Sequence, residues 1–152
     1  MYATLLVVHS VVRWLVLLTG LLAAGRGIAG WKGRPWSPAD NKAGIFFVAT
    51  LDLQLLVGLV LYLFLSPMVK VATIDIGAAM RDPALRFFLV EHAFGMLAAV
   101  TLAHLGRIRI RKAATDGRRH RAAAVFFGLA LLLVLLSTPW PGMPAGRPLL
   151  PW

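Results

Sequence analysis

His9 and His92 each stand inside a long apolar run of this chain. Imidazole is the usual axial ligand of b-type haem, and two imidazoles can hold one iron between them. Three further side chains belong to the same candidate site. Arg13 follows His9 by four residues, one helical turn along the same face. Glu91 adjoins His92, and Met96 follows it by four. His9, Arg13, Glu91, His92 and Met96 are therefore the candidate cofactor-binding residues, with His9 and His92 as the iron ligands. The pairing requires that the elements carrying the histidines bring them to one depth.

Those elements are membrane spans. The 152 residues are 59% hydrophobic and only 14% charged, where a soluble domain carries about 25% charged residues. Four apolar runs, at about 3–25, 41–65, 85–106 and 122–139, each approach the roughly 20 residues that cross a bilayer. They predict an all-α, four-helix, up-and-down transmembrane bundle over residues 1–141, followed by an extended proline-rich tail over 142–152. Ser37-Pro38 and Asp82-Pro83 read as helix starts, an N-cap followed by proline at the first helical position. Ser66-Pro67 and Thr138-Pro139 read as stops. The segment from Met68 to Arg81 is mildly amphipathic and reads as an ordinary connector or, alternatively, as a lid lying on the outer surface. The chain has no cysteine, which excludes disulfides, iron–sulfur clusters, thiolate-ligated haem and covalent haem attachment.

The net charge of +10 lies mostly in loops, a pattern of membrane topology and anionic lipid rather than of nucleic-acid binding. Arg26, Lys32, Arg34 and Lys42 follow the first span, and Arg107, Arg109, Arg111, Lys112, Arg118, Arg119 and Arg121 follow the third. Only Lys70, Arg81, Arg86 and Arg147 fall on the other side. The positive-inside rule then places both termini outside the bacterial inner membrane. The first span lacks a basic leader and a small-residue cleavage site, so it reads as a retained helix.

This topology sets the depths. His9 lies six residues into the first span, and His92 six residues past Arg86 at the outer end of the third. Both are about 9 Å deep at the helical rise. The first and third helices face each other diagonally in such a bundle. Gly95 and Ala99 then leave room for a ring, with Met96 packed below it. Alternatively, each histidine merely ties helices together through a carbonyl or Glu91. Buried charge in hydrocarbon costs about 2.5–3.5 kcal/mol on insertion scales, so the remaining polar residues need partners. Arg13 reaches the depth of Asp52 and Gln54. Glu91 can be protonated, pair with Arg13, or bond His9. His104 has no second histidine at its level. His120, among arginines, reads as solvated, and Tyr62 with Phe87-Phe88 as an interfacial aromatic belt. The tail tryptophans, Trp140 and Trp152, suit the interface or a partner groove.

Four motifs carry a resemblance: HSxxRW (His9 to Trp14), QxxxGxxLYxxxSP (Gln54 to Pro67), RFFxVEHxxxM (Arg86 to Met96) and PWP (Pro139 to Pro141). Together they resemble a family of small bacterial four-helix membrane proteins, common in Bacteroidota and labelled "cytochrome B". The resemblance covers about residues 1–141 and implies His9 and His92 as haem ligands. Members often have histidine where Asp52 stands here, and they tend to stop near the PWP.

Three functions follow as expectations. The first is a b-type cytochrome-like subunit passing electrons near the outer face, with haem b. The second is a non-catalytic accessory subunit of a larger respiratory or photosynthetic complex, docked through its tail to other membrane subunits. The third is a quinone-binding protein, with lipid as a further ligand of the same polar set. No nucleophile–base arrangement or phosphate loop points to an enzyme acting alone.

Overall fold

A computed structural model describes residues 1–149. Trp152 and its two predecessors lie outside the described residues. Six helices follow in order: α1 (Tyr2–Gly30), α2 (Pro38–Leu65), α3 (Pro67–Ile74), α4 (Ile76–Arg81), α5 (Pro83–Lys112) and α6 (Asp116–Leu136). Four of them, α1, α2, α5 and α6, are long and apolar enough to cross a membrane.

Local chemistry sets their ends. Ser37 accepts from the Asp40 amide while the Asp40 carboxylate accepts from the Ser37 amide, a capping box with Pro38 at the first position. Thr115 caps α6 by accepting from the Arg118 amide. The early α6 start and the late α5 end extend both helices beyond their apolar windows, because arginine and lysine propagate a helix well. At its other end α6 stops at Leu136, short of the expected 139. Thr138 precedes a proline and is biased away from helical backbone. Ser66-Pro67 is a start as well as a stop: Ser66 accepts from the Val69 amide and opens α3. The expected plain connector is thus two short capped helices, with Asp75 opening α4 and Asp82 opening α5.

The long helices form a ring. α1 packs on α2 and α6, and α5 packs on α6 and, less extensively, on α2. α1 and α5 are the diagonal pair, as the up-and-down reading requires. Small residues let the helices approach closely. A side chain at Gly44 or Gly106 would meet the Phe127 ring or its neighbour Phe126, and Phe127 in turn packs edge-on to Phe47 at 5.6 Å. Close packing through small residues replaces the hydrophobic drive that lipid cannot supply. Large apolar side chains such as Leu18, Leu21, Phe46, Leu56 and Phe94 point outward instead, a surface compatible with lipid.

The basic end, opposite the chain termini, holds two features the sequence reading missed. Asp40 has a side chain only 1% exposed and binds Arg26 at 2.8 Å and Arg34 at 2.7 Å. His120 is 0% exposed, against the expectation that it is solvated. The early start of α6 explains this. His120 shares the inward face of Ala123, Ala124 and Phe127, stacks 4.9 Å from Trp36, and abuts Gly30 of α1.

Candidate functional site at the end carrying the termini

At the end carrying the termini, the four long helices enclose a cavity of about 370 Å³. α1 contributes His9, Ser10 and Arg13. α2 contributes Gln54, Gly58 and Tyr62. α5 contributes Phe88, His92 and Met96. Thr138, Arg147 and Pro148 close the side beyond α6. The size falls within the roughly 300–1,000 Å³ of ligand sites. Among the described residues two arginines line the cavity and no carboxylate does.

Backbone irregularities shape its mouth. The last turn of α2, Leu61–Leu65, and a turn of α5, Phe87–Glu91, are π-helical. Such turns insert a residue and re-aim the side chains beyond them, and they gather at functional sites. The Tyr62 hydroxyl donates to the Leu89 carbonyl at 2.8 Å and joins the two turns. Phe87 is buried and its ring lies 6.0 Å from that of His92. Tyr62 and Phe88 therefore line the site, with Phe87 packed beside His92, a role that their reading as an interfacial belt did not include.

The histidine pair meets across the diagonal. The ring centres of His9 and His92 are 6.3 Å apart, with planes at 69°. Two imidazoles sharing one metal, at the roughly 2 Å usual for metal–imidazole bonds, also have ring centres about 6 Å apart, but both nitrogens of His9 are turned to α2 here, so shared ligation requires the His9 ring to rotate toward His92. His92 Nδ1–H donates to the Ser137 carbonyl at 2.7 Å. That contact satisfies the helix-tying alternative. It also fixes the tautomer of a metal-ligating histidine, leaving the Nε2 lone pair unused. His9 Nε2 lies 3.2 Å from the Gln54 amide group. Its Nδ1 is buried without a partner, as is Gln54 Oε1. A half-turn of the glutamine amide exchanges its oxygen and nitrogen. His9 Nε2–H then donates to that oxygen, and Nδ1 carries the free lone pair. The N–C–N edge of His9 faces α2, where a side chain on Gly58 would meet Cε1 at 3.1 Å.

Arg13 is only 8% exposed. Its Nη2 donates to the Leu149 carbonyl at 2.6 Å, and its Nε has no partner among the described residues. Trp14 Nε1 donates to the same carbonyl at 3.3 Å, and Trp14 packs edge-on to Trp140. The tail therefore folds back through two turns, with the Arg147 amide donating to the Pro139 carbonyl at 3.1 Å. Arg147 sits over the Phe88 ring. The described part of the tail is a wall of the cavity, not a strand extending from the bundle. α6 ends too early to flank the outer turns of α1 and α5, and the tail occupies that place.

The other expectations fare unevenly. Met96 lines the cavity. Glu91 does not: it pairs with Arg86 at 2.7 Å, with both side chains exposed, rather than with Arg13 or His9. Its position one residue before His92 turns it away from the target of His92. Asp52 bonds His104 at 2.9 Å on an exposed face between α2 and α5, not Arg13. Gly95 leaves no room for a ring, because a side chain there would overlap the Ser137 hydroxyl. Ala99 is buried in the packed core.

The donor set narrows the chemistry. Among the described residues no group of three or more histidine, cysteine or acidic side chains converges to hold a bare metal ion. Two imidazoles suffice only where a macrocycle supplies the remaining bonds to iron. Comparison of the chain with protein-family models, with curated proteins and with solved structures gives no match.

Proposed function

We propose that the chain is an electron-transfer subunit of the b-type cytochrome kind, multi-pass in the bacterial inner membrane, holding haem b between His9 and His92. The observation that carries this reading is the meeting of two imidazoles across the bundle diagonal, 6.3 Å apart, in a cavity that no carboxylate of the described residues lines. Each ring has one nitrogen engaged by the protein and one without a protein hydrogen bond among the described residues. When bound, haem supplies a reversible one-electron centre.

The chain's own groups do the positioning. The Ser137 carbonyl holds the His92 ring and its tautomer. Gln54 does the same for His9. Arg13 and Arg147 line the cavity and would hold the carboxylates of a bound haem. The tail and the π-helical turns separate the site from the aqueous face. The absorption spectrum of the purified protein tests the reading. A Soret band that shifts on reduction, with about one haem per chain by pyridine haemochrome, supports it. A colourless protein with intact helices overturns it.

A second reading is a quinone site, favoured by the unpartnered Arg13 Nε and the unsatisfied polar atoms of His9 and Gln54. Arg13 Nε–H is a donor that a quinone carbonyl accepts from, and the Gln54 oxygen and the His9 lone pair are acceptors for a quinol hydroxyl. Solvent extraction of the same preparation separates the two. Stoichiometric quinone without haem selects the second.

A further inference from the structure

The opposite end of the bundle holds a separate feature. An open groove of about 670 Å³ runs between the last turns of α5 and the first turns of α6. Arg109, Lys112, Arg118 and Arg121 rim it, and no acidic residue lines it. Asp116, the acid nearest in sequence, pairs with Arg119 at 3.2 Å. Among the described residues Arg109, Lys112 and Arg118 have no acidic partner. Arg121 is set in place over the Trp31 ring, 5.3 Å away. The amino terminus of α6 adds its own partial positive charge to this end.

The lower wall of the groove is apolar. Leu105 and Val125 each lie seven residues from a rim cation, Lys112 and Arg118 respectively. That is about 10 Å further along the helix axis at the helical rise. Leu105, Ile108 and Val125 expose their side chains there. Lys112 and Arg118 at the rim, Arg109 and Arg121 about 4.5 Å further in, and apolar side chains reaching on to Leu105 and Val125 form the complement of a phospholipid, with phosphate toward the rim and acyl chain beneath. A soluble anion would use only the rim and leave the channel open to water. An acidic protein segment would find no hydrogen-bonding side chain along that lower wall.

We infer that this groove binds an anionic phospholipid, its phosphate held by Arg109, Lys112, Arg118 and Arg121 and one acyl chain lying along Leu105, Ile108 and Val125. Binding there is independent of whatever occupies the cavity at the far end. A bound anionic lipid would offset the mutual repulsion of the four cations and tie α5 to α6 at the end where their linker is short.

Native mass spectrometry of the full-length protein, delipidated in detergent and titrated with defined lipids, tests this. Dioleoyl phosphatidylglycerol and tetraoleoyl cardiolipin should bind in preference to dioleoyl phosphatidylcholine. Each basic side chain near an anionic headgroup is worth about 1 kcal/mol. Arg109→Gln with Arg118→Gln should therefore weaken binding roughly 30-fold, and Lys112→Gln alone about 5-fold. These positions are exposed, so the bundle should fold unchanged, which circular dichroism checks. Lys32→Gln with Lys42→Gln, which removes the same charge outside the groove, should leave binding within about twofold of wild type. Equal binding of phosphatidylcholine, an equal loss in the control pair, or displacement of lipid by millimolar inorganic phosphate would each overturn the inference.

Discussion

Gly95→Ala should loosen the hold on His92 without touching either histidine. A methyl group at Gly95 would overlap the Ser137 hydroxyl and crowd its Cβ at 2.8 Å. The Ser137 carbonyl is the acceptor for His92 Nδ1–H, so whatever displaces Ser137 displaces the group that orients the ring. Overpacking a tight contact costs about 1–3 kcal/mol, and losing a partner that orients a metal ligand costs about 10–100-fold in metal affinity. The substitution should therefore lower the unfolding free energy by about 1–3 kcal/mol and raise the rate of haem loss to excess apomyoglobin by at least about tenfold. Ser137→Gly removes the atoms that collide and keeps the carbonyl. Alone it should cost less than about 1 kcal/mol. Combined with Gly95→Ala it should restore most of both losses, giving a favourable coupling of at least about 1 kcal/mol in a double-mutant cycle. Unfolding in denaturant and haem transfer measure the two effects separately. If the double variant is no better than Gly95→Ala alone, the contact does not orient His92 and the reasoning fails.

Three other outcomes follow from the same geometry. Gln54→Leu removes the protein partner of His9 Nε2 and should raise the haem-loss rate about tenfold or more, whereas the neighbouring Leu53→Ala, on an exposed face, should leave it unchanged in the same assay. His120→Leu replaces a fully buried ring whose two nitrogens lack partners by an apolar side chain; unfolding should show a neutral or stabilising change, up to about 1–3 kcal/mol, and a loss of more than about 1 kcal/mol would mean the ring has an unseen partner. Asp40→Ala strips the capping box and the acceptor of both Arg26 and Arg34, and should cost about 2–4 kcal/mol from the lost cap and charged hydrogen bonds together, read from the same unfolding curves.

The existence and order of the long helices were legible because hydropathy alone carries that signal over twenty residues, and the caps Ser37 and Asp82 were legible from their prolines. The diagonal meeting of His9 and His92 was legible for a related reason. Equal spacing from the helix starts fixes depth, and up-and-down connectivity fixes which helices face each other. What depends on rotation about a helix axis was not legible. Asp52 and Gln54 are two residues apart and face about 200° apart on a helix; depth assigned either to Arg13, but rotation gives one to His104 and the other to His9. Two π-helical turns shift that rotation again just before His92 and after Val60, with no composition mark to announce them. Gly58, one turn beyond Gln54, was a usable hint that a ring lies against α2. The tail was misread as extended because prolines describe local backbone. They do not reveal that α6 stops early, nor that Arg13 needs an acceptor such as the Leu149 carbonyl. His120 was misread because its arginine neighbours in sequence point away from the face it shares with Ala123 and Phe127.

The central claim is that His9 and His92 are the two axial ligands of one iron. Low-temperature electron paramagnetic resonance of the oxidised, purified protein tests it most directly, on wild type and on His9→Ala and His92→Ala separately. The account predicts a low-spin ferric signal in the wild type, because two imidazoles fill both axial positions. Each single variant should lose that signal, turning high-spin or losing its haem while the helices still insert. A low-spin signal that survives in either variant, or a wild-type protein with intact helices and no ferric signal, would contradict it.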